Sequence, residues 1–197
     1  MSSPQLDPRR TAVLCMDYQA AIVANYAGDA EPLLSRAARV LAAARNAQAM
    51  VVYVVVGFRP GFPEVSPRNQ SFSTIKQRAG FLAGDGARVH PSLAPHVGDV
   101  TVTKHRVSAF AGTDLEMLLR AKDVDTLVLM GIATSGVVLS TLRHAADADY
   151  RLVVVRDGCS DQDPQVHDIL VEKVFPRQAS VVTAEEVCAT LASSPRP

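Results

Sequence analysis

Several positions in this chain place a reactive side chain where a β-rich run gives out. Asp17 follows Thr11–Met16 (TAVLCM), Lys104 follows Val100–Thr103 (VTVT), and Phe58 and Arg59 follow Met50–Val56 (MVVYVVV). The small-residue segment Gly131-Ile132-Ala133-Thr134-Ser135-Gly136 follows Thr126–Met130 and runs into a helical pattern. Asp157, Cys159 and Asp161 follow Leu152–Val155. A carboxylate beside an ammonium can trade a proton with a substrate. Free N–H groups at the start of a helix favour an anion or a developing oxyanion. Bland readings stand beside these. Polar residues end many strands because the chain reaches water, Arg59 reads more readily as a solvated loop residue than as a ligand contact, and Gly131–Gly136 reads as a plain tight turn. That turn is no phosphate loop, since GxGxxG and GxxxxGK[ST] are both missing.

Metal and thiol chemistry find little support. His90, His96, His105, His144 and His167 show no ligand spacing, so neither a metal nor another cofactor is expected. The cysteines Cys15, Cys159 and Cys188 are odd in number and form no CxxC, which argues against a disulfide framework and a zinc ribbon. Cys15 lies within a strand pattern and reads as core.

Lys+Arg 20 balances Asp+Glu 20, so neither nucleic acid nor an anionic membrane surface is an expected partner. The segment Met1–Arg10 lacks the apolar core of a signal peptide, and the apolar run from Met50 to Phe58 is too short to cross a bilayer. A cytoplasmic setting and a small-molecule substrate are the expectation.

The elements that must hold these residues alternate. Most of the β-rich runs, with Ser180–Val182, are nearly continuously apolar, which suits strands buried on both faces of a parallel sheet. Helical spacing falls between them. In Glu31–Gln48 one face carries Leu33, Leu34, Ala37, Val40, Leu41 and Ala44. Thr113–Val124 opens on the capping box Thr113/Glu116, and Thr183–Leu191 on Thr183/Glu186. Val137–Ala148 and Asp163–Val174 complete the set. The pattern breaks between Val56 and Val100, where the Pro- and Gly-rich stretch 57–70 reads as a lid or binding loop. The sum is an α/β fold, a three-layer domain over 11–192 with a mostly parallel sheet flanked by helices. A polar arm, 1–10, and a tail, 193–197, flank it. In such sheets ligands bind beyond the strands' carboxyl ends, where Asp17, Lys104 and the Gly131 turn would meet.

Four stretches carry a resemblance. They are Ala12-Val13-Leu14-Cys15-Met16-Asp17-Tyr18-Gln19, Lys104 with Ser108-Ala109-Phe110, Leu127 through Thr134, and Val153 through Asp157. In this order and at these separations the chain resembles the isochorismatase-like hydrolases, the cysteine hydrolase superfamily. The resemblance implies six strands in a Rossmann-like order and a homo-oligomer, dimer or tetramer. It implies an Asp, Lys, Cys triad, with Asp17 as acid/base and Lys104 as its partner. It also implies a cis bond at Ile132–Ala133 and a binding turn of Ala133, Thr134 and Val137. Substrate contacts would come from Phe58, Arg59, Phe110 and Ser135. The triad's cysteine position holds Val137, which cannot be a nucleophile. Gly57–Ser66 holds neither Asp nor His, so the Asp-x-His metal motif of nicotinamidases is absent. What remains is similar to the thiol-free isochorismatase branch, where an aspartate protonates a vinyl ether. The Tyr and His of that branch's turn correspond to Ala133 and Ser135, which argues against isochorismate itself. Two rivals stay open: a substitute nucleophile (Ser135, Ser140 or Cys159), and a non-catalytic small-molecule binder.

Overall fold

A computed structural model describes residues 5–78 and 80–193; residues 1–4 of the expected arm and 194–197 of the expected tail lie outside the described residues. Six strands form one sheet: β1 (Thr11–Met16), β2 (Met50–Val56), β3 (Val100–Lys104), β4 (Thr126–Ile132), β5 (Arg151–Ser160) and β6 (Ser180–Val182). Their order is β3-β2-β1-β4-β5-β6, and every adjacent pair is parallel. The order reverses between β1 and β4. A crevice opens at that switch point, beyond the strands' carboxyl ends.

Alternation along the strands splits the core into two layers. Val13, Cys15, Val51, Tyr53, Val128, Met130, Val153 and Val155 face one way. There they meet α1 (Ala20–Tyr26), α2 (Ala30–Asn46) and α7 (Ala184–Ser193). Ala12, Leu14, Met16, Val52, Val54, Leu127, Leu129 and Val154 face the other way. They meet α4 (Leu115–Arg120), α5 (Leu139–Asp147) and the segment after α6 (Pro164–Ile169). The six apolar positions expected on one face of α2 are all buried. Burial on both faces is why the central strands read as continuous apolar runs.

Three departures from the sequence reading have local causes. The helix expected over Thr113–Val124 shortens to Leu115–Arg120. Its box does not form: the Thr113 hydroxyl oxygen accepts from Leu115 N–H at 3.3 Å rather than from Glu116 N–H, Thr113 N–H donates to the Phe110 carbonyl, and the Glu116 side chain pairs with Arg120. Asp123, at φ 50°, then turns the chain out of the helix. The box of α7 does form: Thr183 N–H donates to Glu186 at 2.7 Å and Glu186 N–H to the Thr183 hydroxyl at 3.3 Å. Second, β5 continues to Ser160 past an irregularity opposite Leu129 and Gly131, which places Asp157 and Cys159 inside the strand. Third, α1 and α3 (Gln70–Gln77) occupy stretches in which the sequence reading placed no helix, α3 lying beyond loop 57–69 and started by an Asn69 side-chain cap.

Candidate active site

Two strand ends and one turn converge at the switch point. Asp17 follows β1, its N–H donating to the Val54 carbonyl at 2.8 Å. Its φ is 59°, a left-handed conformation that Asp tolerates better than most residues. Leaving the extended conformation here ends the strand and turns the side chain into the crevice. Lys104 is the last residue of β3 and pairs in register with Val56. Its ammonium lies 2.9 Å from Asp17 Oδ2, and it donates to the Arg106 carbonyl at 3.1 Å. Both side chains are almost wholly buried, at 3% and 8% exposure. Asp17 Oδ1 is buried with no hydrogen-bond partner.

This pair sets the electrostatics. Burial pushes the Asp17 carboxyl above its ordinary value, and the Lys104 ammonium pulls part of the way back by charge and hydrogen bond. The outcome is a carboxyl that holds its proton longer than one in water. One of its oxygens is anchored and the other is left for something else.

The turn after β4 supplies the opposite wall. Met16 and Gly131 are register partners. A Cβ on Gly131 would stand 2.8 Å from the Met16 carbonyl oxygen and 3.4 Å from Val137 Cγ1. Only glycine allows this approach, and it sets Val137 beside the chain end that carries Asp17. The Ile132–Ala133 peptide is cis, and Thr134–Val138 form a π-helical turn leading into α5. Thr134 is fully buried, its hydroxyl 2.8 Å from His167 Nδ1. The N–H groups of Gly136 and Val138 both donate to the Ala133 carbonyl. Ser135 N–H donates to Asp161 at 2.7 Å. These three donors are spent locally, which narrows what the turn can offer a ligand to Ala133, Thr134 and Val137.

The remaining expected residues scatter. Phe58 packs against Phe62, Phe72 and His105, its ring 5.2 to 6.0 Å from theirs. Arg59 is 70% exposed and pairs with Glu64 at 2.5 Å, so it is engaged by its own loop. Phe110 stacks on His144 of α5 at 4.6 Å, within the core layer of α4 and α5. Ser135 is exposed. Asp157 is committed to structure, accepting from the N–H of Ala184 at 2.7 Å at the start of α7. Cys159 is buried, and burial pushes its thiol up to about 12; burial raises Cys15 further still. Neither is a thiolate near neutral pH.

Residues that the sequence reading passed over also build the site. Gln19, fully buried, accepts from Val56 N–H at 2.8 Å and donates to the Val56 and Ala87 carbonyls, which closes the end of β2. The Tyr18 hydroxyl donates to the Gly158 carbonyl and ties β1 to β5. Both directly follow Asp17, and no spacing rule marks them, because their partners are distant in sequence. Among the described residues, no group of three or more His, Cys, Asp or Glu side chains is disposed to hold a metal ion. No helix there is long and apolar enough to cross a membrane.

An all-parallel α/β sheet with a buried Asp–Lys pair at its switch point places the chain among the doubly wound α/β folds, which bind ligands beyond the carboxyl ends of their strands. Within that class the comparisons are specific. The isochorismatase domain family matches residues 11–186, and this chain belongs to the isochorismatase family, a family of hydrolases. It is 32% identical to the isochorismatase family protein YwoC of Bacillus subtilis, over 94% of this chain and 96% of that one. It is 27% identical to the maleamate amidohydrolase of Pseudomonas putida, over 90% of this chain and 85% of the enzyme. An isochorismatase family protein of Burkholderia thailandensis has the same fold, with a TM-score of 0.83 at 29% identity, covering 98% of this chain and all of that one.

Proposed function

We propose that this chain hydrolyses a small polar metabolite without a cysteine nucleophile, with Asp17 as the general acid and base. The observation that carries this is the buried, partnerless Asp17 Oδ1 on a carboxyl whose other oxygen Lys104 anchors. A carboxyl of ordinary pKa would have lost its proton well below neutral pH. Burial raises the Asp17 carboxyl above that ordinary value, and Lys104 balances the charge left when the proton departs.

Val137 narrows the chemistry. It fills the place beside Gly131 with an aliphatic side chain, so no thioester forms there. The rival nucleophile Cys159 is disfavoured by its buried, neutral thiol. A vinyl ether needs no nucleophile from the protein. Asp17 gives its proton to the terminal alkene carbon, and the ether carbon becomes an oxocarbenium ion. Water adds there, its spare proton returns to Asp17, and the hemiketal collapses to a ketone and an alcohol. Ala133, Thr134 and Val137 would line the reacting centre from the turn, with Phe58, Arg59 and Ser135 as contacts farther out. Phe110 would act at most through its packing on α5. The similarity to maleamate amidohydrolase favours a second substrate class, small amides, attacked by water that Asp17 deprotonates. The enzyme is expected to work in the cytoplasm as a dimer or tetramer, which light scattering on the purified protein checks.

Enol ethers and small amides are screened by mass spectrometry, wild type beside Asp17→Asn. One class is expected to be consumed, and the variant to be slower by about 10²–10⁴-fold at an unchanged far-UV spectrum. A folded variant retaining more than about a tenth of the wild-type rate removes Asp17 from the chemistry. If wild type converts nothing but is stabilised by a ligand, the protein is a binder.

A further inference from the structure

Two side chains tie the turn after β4 to the segment that follows β5. Ser135 N–H donates to Asp161 Oδ2 at 2.7 Å, and the Thr134 hydroxyl lies 2.8 Å from His167 Nδ1. Asp161 directly follows β5. His167 sits on α6, a helix begun by Pro164 and by the Asp163 side chain, which accepts from Gln165 N–H at 2.9 Å. The acid/base chemistry above uses neither His167 nor Asp161.

The Thr134 contact is satisfied in one direction only. Thr134 is fully buried, and among the described residues its hydroxyl has no partner but His167 Nδ1. A hydroxyl has one proton to give. A proton on Nδ1 would point at Thr134 Oγ1 and leave the hydroxyl proton unpaired in the interior, which is costly. A bare Nδ1 accepts that proton, and both groups are satisfied. The neutral ring therefore carries its own proton on Nε2. His167 is half-buried and lines a cavity of about 390 Å³ with Tyr26, Asp29, Cys159 and Asp161, so an Nε2–H there can be hydrated.

A second proton on the ring changes this bond. Imidazolium donates from both nitrogens, so the contact reverses and the buried hydroxyl proton loses its acceptor. The charges around the ring are mixed. Burial opposes the cation most, Asp168 of α6 and Asp161 favour it, and Arg156 of β5 opposes it. The balance holds His167 below its ordinary value of 6.5, so the ring is neutral at pH 7 and gains its proton on acidification.

We propose that His167 is a positioning residue for the reaction: its bond to Thr134 holds the turn that carries Ala133, Thr134 and Val137, and reversal of that bond on proton uptake releases the turn. The wall of the site thereby carries an acid-triggered off state. This rests on the reading of that turn as a wall of the reacting centre, but it is tested by the turn's own motion, so the two can fail separately.

The test is nuclear magnetic resonance on the purified protein. Imidazole ¹⁵N shifts report the tautomer of His167, expected with the proton on Nε2. Amide exchange reports the hold on Ser135, Gly136 and Val138, whose N–H groups are all bonded within or behind the turn. Corrected for its intrinsic pH dependence, wild-type exchange at these amides is expected to quicken by about 10-fold or more between about pH 8 and about pH 5, with its midpoint at the titration of His167. His167→Asn offers an oxygen in place of Nδ1 and does not titrate, so exchange should stay slow at both ends. Thr134→Val keeps the shape but not the hydroxyl, so exchange should be fast at both ends. Asp17→Asn should keep the wild-type step. Four outcomes overturn the proposal: a neutral ring protonated on Nδ1, no step in wild type, a step that persists in His167→Asn, or a step that vanishes in Asp17→Asn. If Thr134→Val does not fold, wild type and His167→Asn still decide. With a substrate from the screen, wild-type kcat should fall along the same titration and that of His167→Asn should not; a fall shared by both overturns the positioning role. An exchange step with no hydrolysis of any screened compound keeps the switch and removes the hydrolytic reading.

Discussion

At the scale of single residues, the site turns on one carboxyl group held between two opposed effects. Desolvation favours neutral Asp17, the 2.9 Å contact with Lys104 favours the ion, and desolvation prevails. The sign of the pH dependence follows. Folded Asp17 binds its proton more tightly than the unfolded chain does, whose value is near 3.8. Its linked stabilisation is full below that unfolded value and is lost as pH rises through the raised folded one. The melting-temperature margin of wild type over Asp17→Asn is thus expected to shrink with rising pH across that window. A margin that grows instead would mean that Lys104 holds Asp17 ionised. Removing the cation tests the same balance. Lys104→Met strands Asp17 in the interior, and unfolding in urea is expected to show a loss of about 3–5 kcal/mol above the raised pKa, less at acid pH where Asp17 is neutral.

At the scale of elements, the close approach of β1 and β4 creates the site. Gly131→Ala puts a methyl group 2.8 Å from the Met16 carbonyl oxygen, and backbone cannot step aside as a flexible side chain can. The strands must separate just before Asp17. The expected cost is about 1–3 kcal/mol in urea unfolding, with activity falling further than stability accounts for. A fully active Gly131→Ala would show that the approach is not needed. The capping box of α7 makes a contrasting case. Thr183→Ala removes the hydroxyl that accepts from Glu186 N–H, at an expected cost of about 1 kcal/mol. That change lies at the edge of the sheet and should leave substrate turnover unchanged at temperatures well below melting.

At the scale of the whole molecule, two apolar layers close over the sheet and seal its thiols inside. Cys15 and Cys159 are buried, while Cys188 is partly exposed on α7. Iodoacetamide at neutral pH is expected to label Cys188 first and leave the other two unmodified in the native protein, as read by peptide mass spectrometry. Activity should survive that labelling. Substrate-protected loss of activity on modification of Cys159 would instead restore the substitute nucleophile.

Periodicity alone located much of this molecule. The apolar runs located β1 and β2 to the residue, because strands buried on both faces leave no polar interruption, and the short edge strand β6 matched its β-rich run as well. The Thr183/Glu186 box was equally legible, since both partners lie within one turn. Asp17, Lys104 and the Gly131 turn could be nominated as strand-end residues, and the family that the domain match establishes was visible in four short stretches. Tertiary structure decided which nominations meet. It joined Asp17 to Lys104, stacked Phe110 on His144 and turned Arg59 toward Glu64. It also withheld a box at Thr113, whose oxygen accepts from Leu115 N–H while Glu116 pairs with Arg120. The place of His167 could not be found by pattern at all. Its meaning lies in one bond to a fully buried hydroxyl, and both burial and partners arise only when segments far apart in the chain are packed together.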